Sequence, residues 1–153
     1  MTVLIIDDDP GYTMLIELAL REFADVILKA MTWDEADPLL SQNPDVAWVD
    51  LVVPPDGVQQ SLQRIRQLRE QNVQIVIVIS SGYIEQSVAA QLDEIGVDAI
   101  MAKGQRFEPG QVAALVVLGM IKAEGRGVTR NREYLTKATD LMQKRFPKIM
   151  IPV

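Results

Sequence analysis

The sequence predicts an α/β fold: a doubly wound parallel sheet of five strands, with helices on both faces and an extra C-terminal helix. Three observations carry this. Short β-rich apolar runs alternate with longer amphipathic stretches throughout the chain. Three of the runs, VLIID, VAWVD and QIVIVIS, are almost continuously apolar, as strands covered on both faces must be. Most of the strands also end on residues able to carry chemistry: Asp7 and Asp8, Asp50, Ser80 and Lys103.

The strands are expected at Val3–Asp7, Asp25–Lys29, Val46–Asp50, Gln74–Ser80 and Ala99–Ala102. Asp9-Pro10 supplies a capping carboxylate and a proline at the first helical position. The first helix then places Tyr12, Leu15, Ile16, Leu18, Ala19 and Phe23 along one side. In the third helix the inward positions are Leu62, Ile65 and either Leu68 or Arg69; in the fourth they are Ile84, Val88, Leu92 and Ile95, with Gly96 at the stop. Glu108-Pro109 opens the fifth helix in the manner of Asp9-Pro10. From Val112 to Leu118, and again at Met120, that helix has almost no polar side, so its outer face also needs a cover. Either a sixth helix at about 129–145, after the Gly125-Arg126-Gly127 break, folds over it with Tyr134 or Leu135, Ala138, and Leu141 or Met142, or the fifth helix is a dimer interface. Phe146 to Val153 reads as an apolar-rich tail. The division is a domain at 1–122 and a basic extension at 123–153.

With 153 residues, 48% hydrophobic and 24% charged, the chain suits one globular domain. It contains no cysteine and no histidine, which excludes disulfides, Cys/His zinc sites, histidine bases and thiol nucleophiles. The first apolar run meets Asp7, Asp8 and Asp9 too early for a signal peptide, and Val112–Ile121 is too short to span a bilayer, so a cytoplasmic protein is expected. Net charge is −6; residues 122–153 carry eight Lys or Arg against three Asp or Glu, leaving +5 there and −11 on the first 121 residues. A solvated helix lying against its own acidic domain explains this polarity better than nucleic-acid binding does.

Ligands of doubly wound sheets gather beyond the carboxyl ends of the strands. Three acids brought together there need a compensating charge, and a hard cation with oxygen ligands supplies it. Few direct carboxylate ligands favour Mg²⁺, which also suits phosphoryl transfer. An aspartate beside that ion can attack phosphorus, while the lysine and the hydroxyl hold the phosphoryl oxygens. Taken singly, each residue has a plainer role: Asp9 a helix cap, Asp56-Gly57 a turn, Ser80-Ser81-Gly82 a loop, Lys103 a solvated charge. The joint arrangement carries the argument.

Ile5-Ile6-Asp7-Asp8-Asp9-Pro10, Val49-Asp50-Leu51-Val52-Val53-Pro54, Ile79-Ser80-Ser81, and Gly96 followed seven residues later by Lys103 resemble, in order, the signatures of response-regulator receiver domains. The resemblance covers about residues 2 to 122. It implies the flavodoxin-like strand order 2-1-3-4-5. It makes Asp50 the phosphoacceptor, Asp8 a direct Mg²⁺ ligand with Asp7 acting through water, and the Val52 backbone carbonyl the remaining protein ligand. Ser80 would be the switch hydroxyl and Lys103 its ion-pair partner. A histidine kinase or phosphotransfer protein would donate the phosphoryl group, and a downstream protein target would read the result. The protein would thus be a switch rather than an enzyme with turnover. Too little chain follows the fifth helix for an ordinary output domain, so a stand-alone receiver is expected. A homodimer would use either the face formed by the fourth helix, fifth strand and fifth helix, part of which the sixth helix is expected to occupy, or the C-terminal helix itself.

The chain departs from the family pattern at several points. Gly104 follows Lys103 where proline is usual, Ile100 stands where an aromatic switch residue is usual, and Gly57 comes seven positions after Asp50 where eight is commoner. By the resemblance, Val52 and Gly82 stand at the positions that tune loss of the phosphoryl group in the family; an apolar Val52 cannot orient an attacking water, so a long-lived phosphorylated state is expected, and a half-life of seconds would refute that. The alternatives are a pseudo-receiver, an interaction module independent of phosphorylation, and, more remotely, a phosphatase using the same acids.

Overall fold

A computed structural model describes residues 1–103, 106–127 and 132–149. The order is β1 (Thr2–Ile6), α1 (Pro10–Leu20), β2 (Val26–Ala30), α2 (Trp33–Leu40), β3 (Val46–Asp50), α3 (Val58–Gln71), β4 (Val76–Ser81), α4 (Gln86–Ile95), β5 (Ala99–Ala102), α5 (Pro109–Gly125) and α6 (Arg132–Arg145). All strand pairs are parallel and the sheet runs β2-β1-β3-β4-β5. The central strands β1, β3 and β4 are buried almost throughout, whereas β2 and β5 are edges with partly exposed residues. β3 and β5 have the expected bounds; β1 stops at Ile6, β2 is shifted by one residue, and β4 starts at Val76.

Alternation along the strands divides the core in two. Leu4, Ile6, Ala47, Val49, Ile77 and Ile79 meet α2, α3 and α4 through Ala36, Leu62, Ile65, Val88 and Leu92. Val3, Ile5, Val46, Trp48, Val76 and Val78 meet α1 and α5 through Ile16, Leu20, Val112, Val116 and Met120. Gly119 lets α5 approach β4, because a Cβ there would lie 2.4 Å from Val76 Cγ1. The inward face of α1 is narrower than its spacing suggested. Thr13, Ile16 and Leu20 are buried, while Leu15 and Leu18 lie outside the arc that meets the sheet and are 40% and 51% exposed.

The caps behave differently from one another. Asp9 accepts from Gly11 N–H and Tyr12 N–H as expected, but Glu108 makes no side-chain cap bond at the head of α5. Gly96 ends α4 with φ 88°, a conformation that favours glycine.

The cover over α5 is α6. Ala113 and Val117 bury themselves against Ala138 and Met142, with Phe23, Ala114, Ile121, Leu135, Phe146 and Ile149 at the margin. No residue of α4 or β5 enters this cluster, so α6 lies on the α1 flank of α5 and does not occupy the α4–β5–α5 face as expected. Residues 129–131 of the expected sixth helix, residues 150–153 of the tail, and Gly104 lie outside the described residues. Among the described residues no helix is long and apolar enough to cross a membrane.

Candidate functional site

The side-chain alternation that points Ile5, Trp48, Val78 and Met101 toward α1 and α5 also governs the residue two further along each strand. Those residues are Asp7, Asp50, Ser80 and Lys103. The ladder continues past the strand ends and fixes them: Asp7 N–H donates to Ala30 O at 3.0 Å, Leu51 N–H to Ser80 O at 3.0 Å, and Lys103 N–H to Ser81 O at 2.7 Å. Four strand ends therefore present their functional side chains on one side of one sheet edge.

Lys103 Nζ donates to Asp7 Oδ2 at 2.7 Å and to Asp50 Oδ2 at 3.0 Å. It also lies 4.4 Å from the centroid of the Tyr12 ring, within reach of its π face. Asp7, Asp8 and Asp50 each offer a carboxylate oxygen within 4.8 Å of the others; Asp7 and Asp50 are buried and Asp8 is exposed. Asp7 Oδ1 accepts from Asp9 N–H at 2.9 Å and Asp50 Oδ1 from Val52 N–H at 3.2 Å. Burial pushes the Asp50 carboxyl above its ordinary value of 3.8, against the opposing hydrogen bond and charge of Lys103. Burial alone would lower Lys103, but its hydrogen bonds to Asp7 and Asp50 and their charges raise it above 10.5. It stays an ammonium.

One lysine faces three carboxylates here, two of them buried. The unbalanced negative charge and the hard oxygen donors fit a divalent cation, with Asp8 accessible from solvent. Val52, whose carbonyl the sequence offers as a ligand, donates its backbone N–H to Asp50 Oδ1, and the residue is 41% exposed. Ile100 is 38% exposed and lies one residue out of phase with Met101 and Lys103.

Ser80 is fully buried, and its Oγ accepts from Trp48 Nε1 at 3.2 Å. Trp48 was not singled out in the sequence; its place two residues before Asp50, hence on the same face, was the available signal. Tyr12, which helical spacing places on the inward side of α1, is more than a core residue. It meets Phe107 edge to face with centroids 6.2 Å apart, and its hydroxyl is buried without a partner among the described residues. Burial raises its pKa above 10.0.

No family model matches the chain, and no curated protein sequence does. Solved structures do. A response regulator receiver domain protein, CheY-like, from Methanospirillum hungatei JF-1 superposes with a TM-score of 0.69 at 16% identity, covering 82% of this chain and 97% of that one. HP1043, an orphan response regulator of H. pylori, gives 0.66 at 22% identity, covering 77% and 95%. A response regulator protein from Burkholderia pseudomallei with a phosphorylated aspartic acid, calcium ion and citrate gives 0.63 at 19% identity, covering 99% of this chain and 76% of that one. The likeness is one of fold: this chain has the architecture of response-regulator receiver domains.

Proposed function

We propose that the protein is a phosphorylatable switch in which Asp50 accepts a phosphoryl group from a histidine kinase or a phosphotransfer protein. The observation that carries the reading is Lys103 bridging Asp7 and Asp50 at 2.7 and 3.0 Å, within a cluster that also holds Asp8. An Asp50 carboxylate oxygen would form the new P–O bond as the donor's P–N bond breaks, and the released imidazole would keep its electron pair and take a proton from water. Lys103 would exchange its contact with Asp50 for one to a phosphoryl oxygen while keeping Asp7. Ser80 would donate its hydroxyl proton to another. Mg²⁺ held by Asp7, Asp8, Asp50 and the Val52 carbonyl would supply neutralisation of charge on the transferring group.

Asp50 must be ionised to attack, and its raised pKa means that activity falls as pH drops through that value. The response would be read by a protein target, for which the α4–β5–α5 side with exposed Ile100, and Tyr83 before α4, is available. The chain would have no turnover activity of its own beyond loss of its phosphoryl group.

The test is phosphate incorporation from phosphoramidate or acetyl phosphate with Mg²⁺, read by intact mass, in the native chain and in Asp50→Asn. One adduct in the native chain, absent from the variant, is expected. No adduct in either, with both folded, would instead make the protein a phosphorylation-independent interaction module.

A further inference from the structure

Trp48 is 0% exposed and sits on β3, two residues before Asp50. Its indole N–H can only donate, and it donates across to Ser80 Oγ on β4 at 3.2 Å. That leaves Ser80, itself 0% exposed, with its own proton to place, and among the described residues no group accepts it. Ser80 and Asp50 are register partners on adjacent strands. The buried hydroxyl therefore has an unspent proton beside the strand end that carries the nucleophile.

We infer that Trp48 is a positioning residue that holds the Ser80 hydroxyl as a committed donor toward a phosphoryl oxygen on Asp50. This rests on the reading of Asp50 as the phosphoacceptor. A serine hydroxyl left to itself rotates and both donates and accepts; with an indole N–H directed at one lone pair of its oxygen, the O–H cannot point back at the indole and is turned to donate elsewhere. The constraint is permanent. Trp48 is packed among Ile5, Val78, Val116 and Met120, in a layer covered by both α1 and α5, and its ring has no solvent-facing position to swing into. Ile100 has no polar side-chain atom and lies out of phase with Met101 and Lys103 on β5, so it cannot take over this task.

Trp33 provides an internal reference, because its Nε1 is also buried but has no hydrogen-bond partner among the described residues. The test follows incorporation from phosphoramidate with Mg²⁺ in the full chain, for the native protein, Trp48→Phe, Ser80→Ala and the double variant. Alongside it, the two indole N–H signals are observed by ¹H–¹⁵N NMR and assigned with Trp33→Phe. Each single variant should slow incorporation by about three- to tenfold, as loss of a single hydrogen bond would, and the double variant should be no slower than Ser80→Ala. Ser80→Ala should also move the Trp48 indole signal while leaving that of Trp33 in place. Native rates in Trp48→Phe, additive losses in the double variant, or an indole signal indifferent to Ser80→Ala would each overturn the inference while leaving Asp50 as the acceptor. Absence of an adduct in the native chain would overturn the Asp50 reading and this inference together. Should Trp48→Phe fail to fold, benzothienylalanine at position 48 removes the N–H at nearly constant volume and gives the same comparison.

Discussion

At the carboxyl edge of the sheet, Asp7 and Asp50 share the ammonium of Lys103, with Asp8 beside them. At the amino-terminal edge, Asp98, just before β5, receives Arg69 Nη2 at 2.8 Å, a short ion pair from Arg126, and Ile77 N–H at 2.9 Å. Lys122 Nζ adds a bond to its backbone carbonyl at 2.8 Å. Both clusters are built on buried acids, Asp7 and Asp50 in one and Asp98 in the other, but their charge ratios are opposite. Asp98 is an acid with a surplus of cations and donors, which ties the end of α3 and the end of α5 to the sheet. The Lys103 cluster is a lysine with a surplus of acids, which leaves it short of positive charge. A buried group whose needs are met locks structure; one whose needs are unmet is ready for an ion or a reaction.

The contrast predicts effects of different sign and size. Asp98→Ala should be the most damaging change, lowering stability by about 3–5 kcal/mol in urea unfolding, because Arg69, whose side chain is only 11% exposed, would keep its backbone carbonyl acceptors but lose its carboxylate. Mg²⁺ at a hundredfold excess over its dissociation constant should stabilise the native chain by about 2.7 kcal/mol, seen as a rise in Tm, and Asp8→Asn should remove most of that gain. Asp50→Asn should stabilise the metal-free protein, since Lys103 keeps Asp7 and one buried charge is gone. A loss as large as that of Asp98→Ala would break the comparison.

The last effect carries a pH signature. The folded pKa of Asp50 is raised above 3.8, so its charge penalty is absent below the unfolded value and complete above the folded one. The advantage of Asp50→Asn should therefore appear as pH rises through that window and level off beyond it, measured by denaturation across the acid range. Lys122→Met removes one bond to the Asp98 carbonyl and should cost about 0.5–1.5 kcal/mol without changing Mg²⁺ binding.

Much of the candidate site was legible because it depends on local rules. Strand ends can be recognised from apolar runs, and the period of two places Asp7, Asp50, Ser80 and Lys103 in phase with their strands. The need for a cover on α5 was legible for the same reason. Spacing allows either Leu68 or Arg69 on the inward face of α3; both are used, Leu68 in the core and Arg69 on Asp98. What spacing could not supply was the partner across the sheet. Nothing near Trp48 in sequence points to Ser80, 32 residues away, and nothing near Asp98 points to Arg69 or Arg126.

The alternation of elements, the chemistry at each strand end and the apolarity of α5 are written in the chain itself, because each depends on residues only a few positions apart. The tertiary structure decided that α6 covers α5 from the α1 side, that Lys103 divides itself between Asp7 and Asp50, and that a buried indole holds the Ser80 hydroxyl. Those outcomes turn on which strands lie side by side and which helix faces meet, and such contacts form between segments distant in the chain, where no local pattern records them.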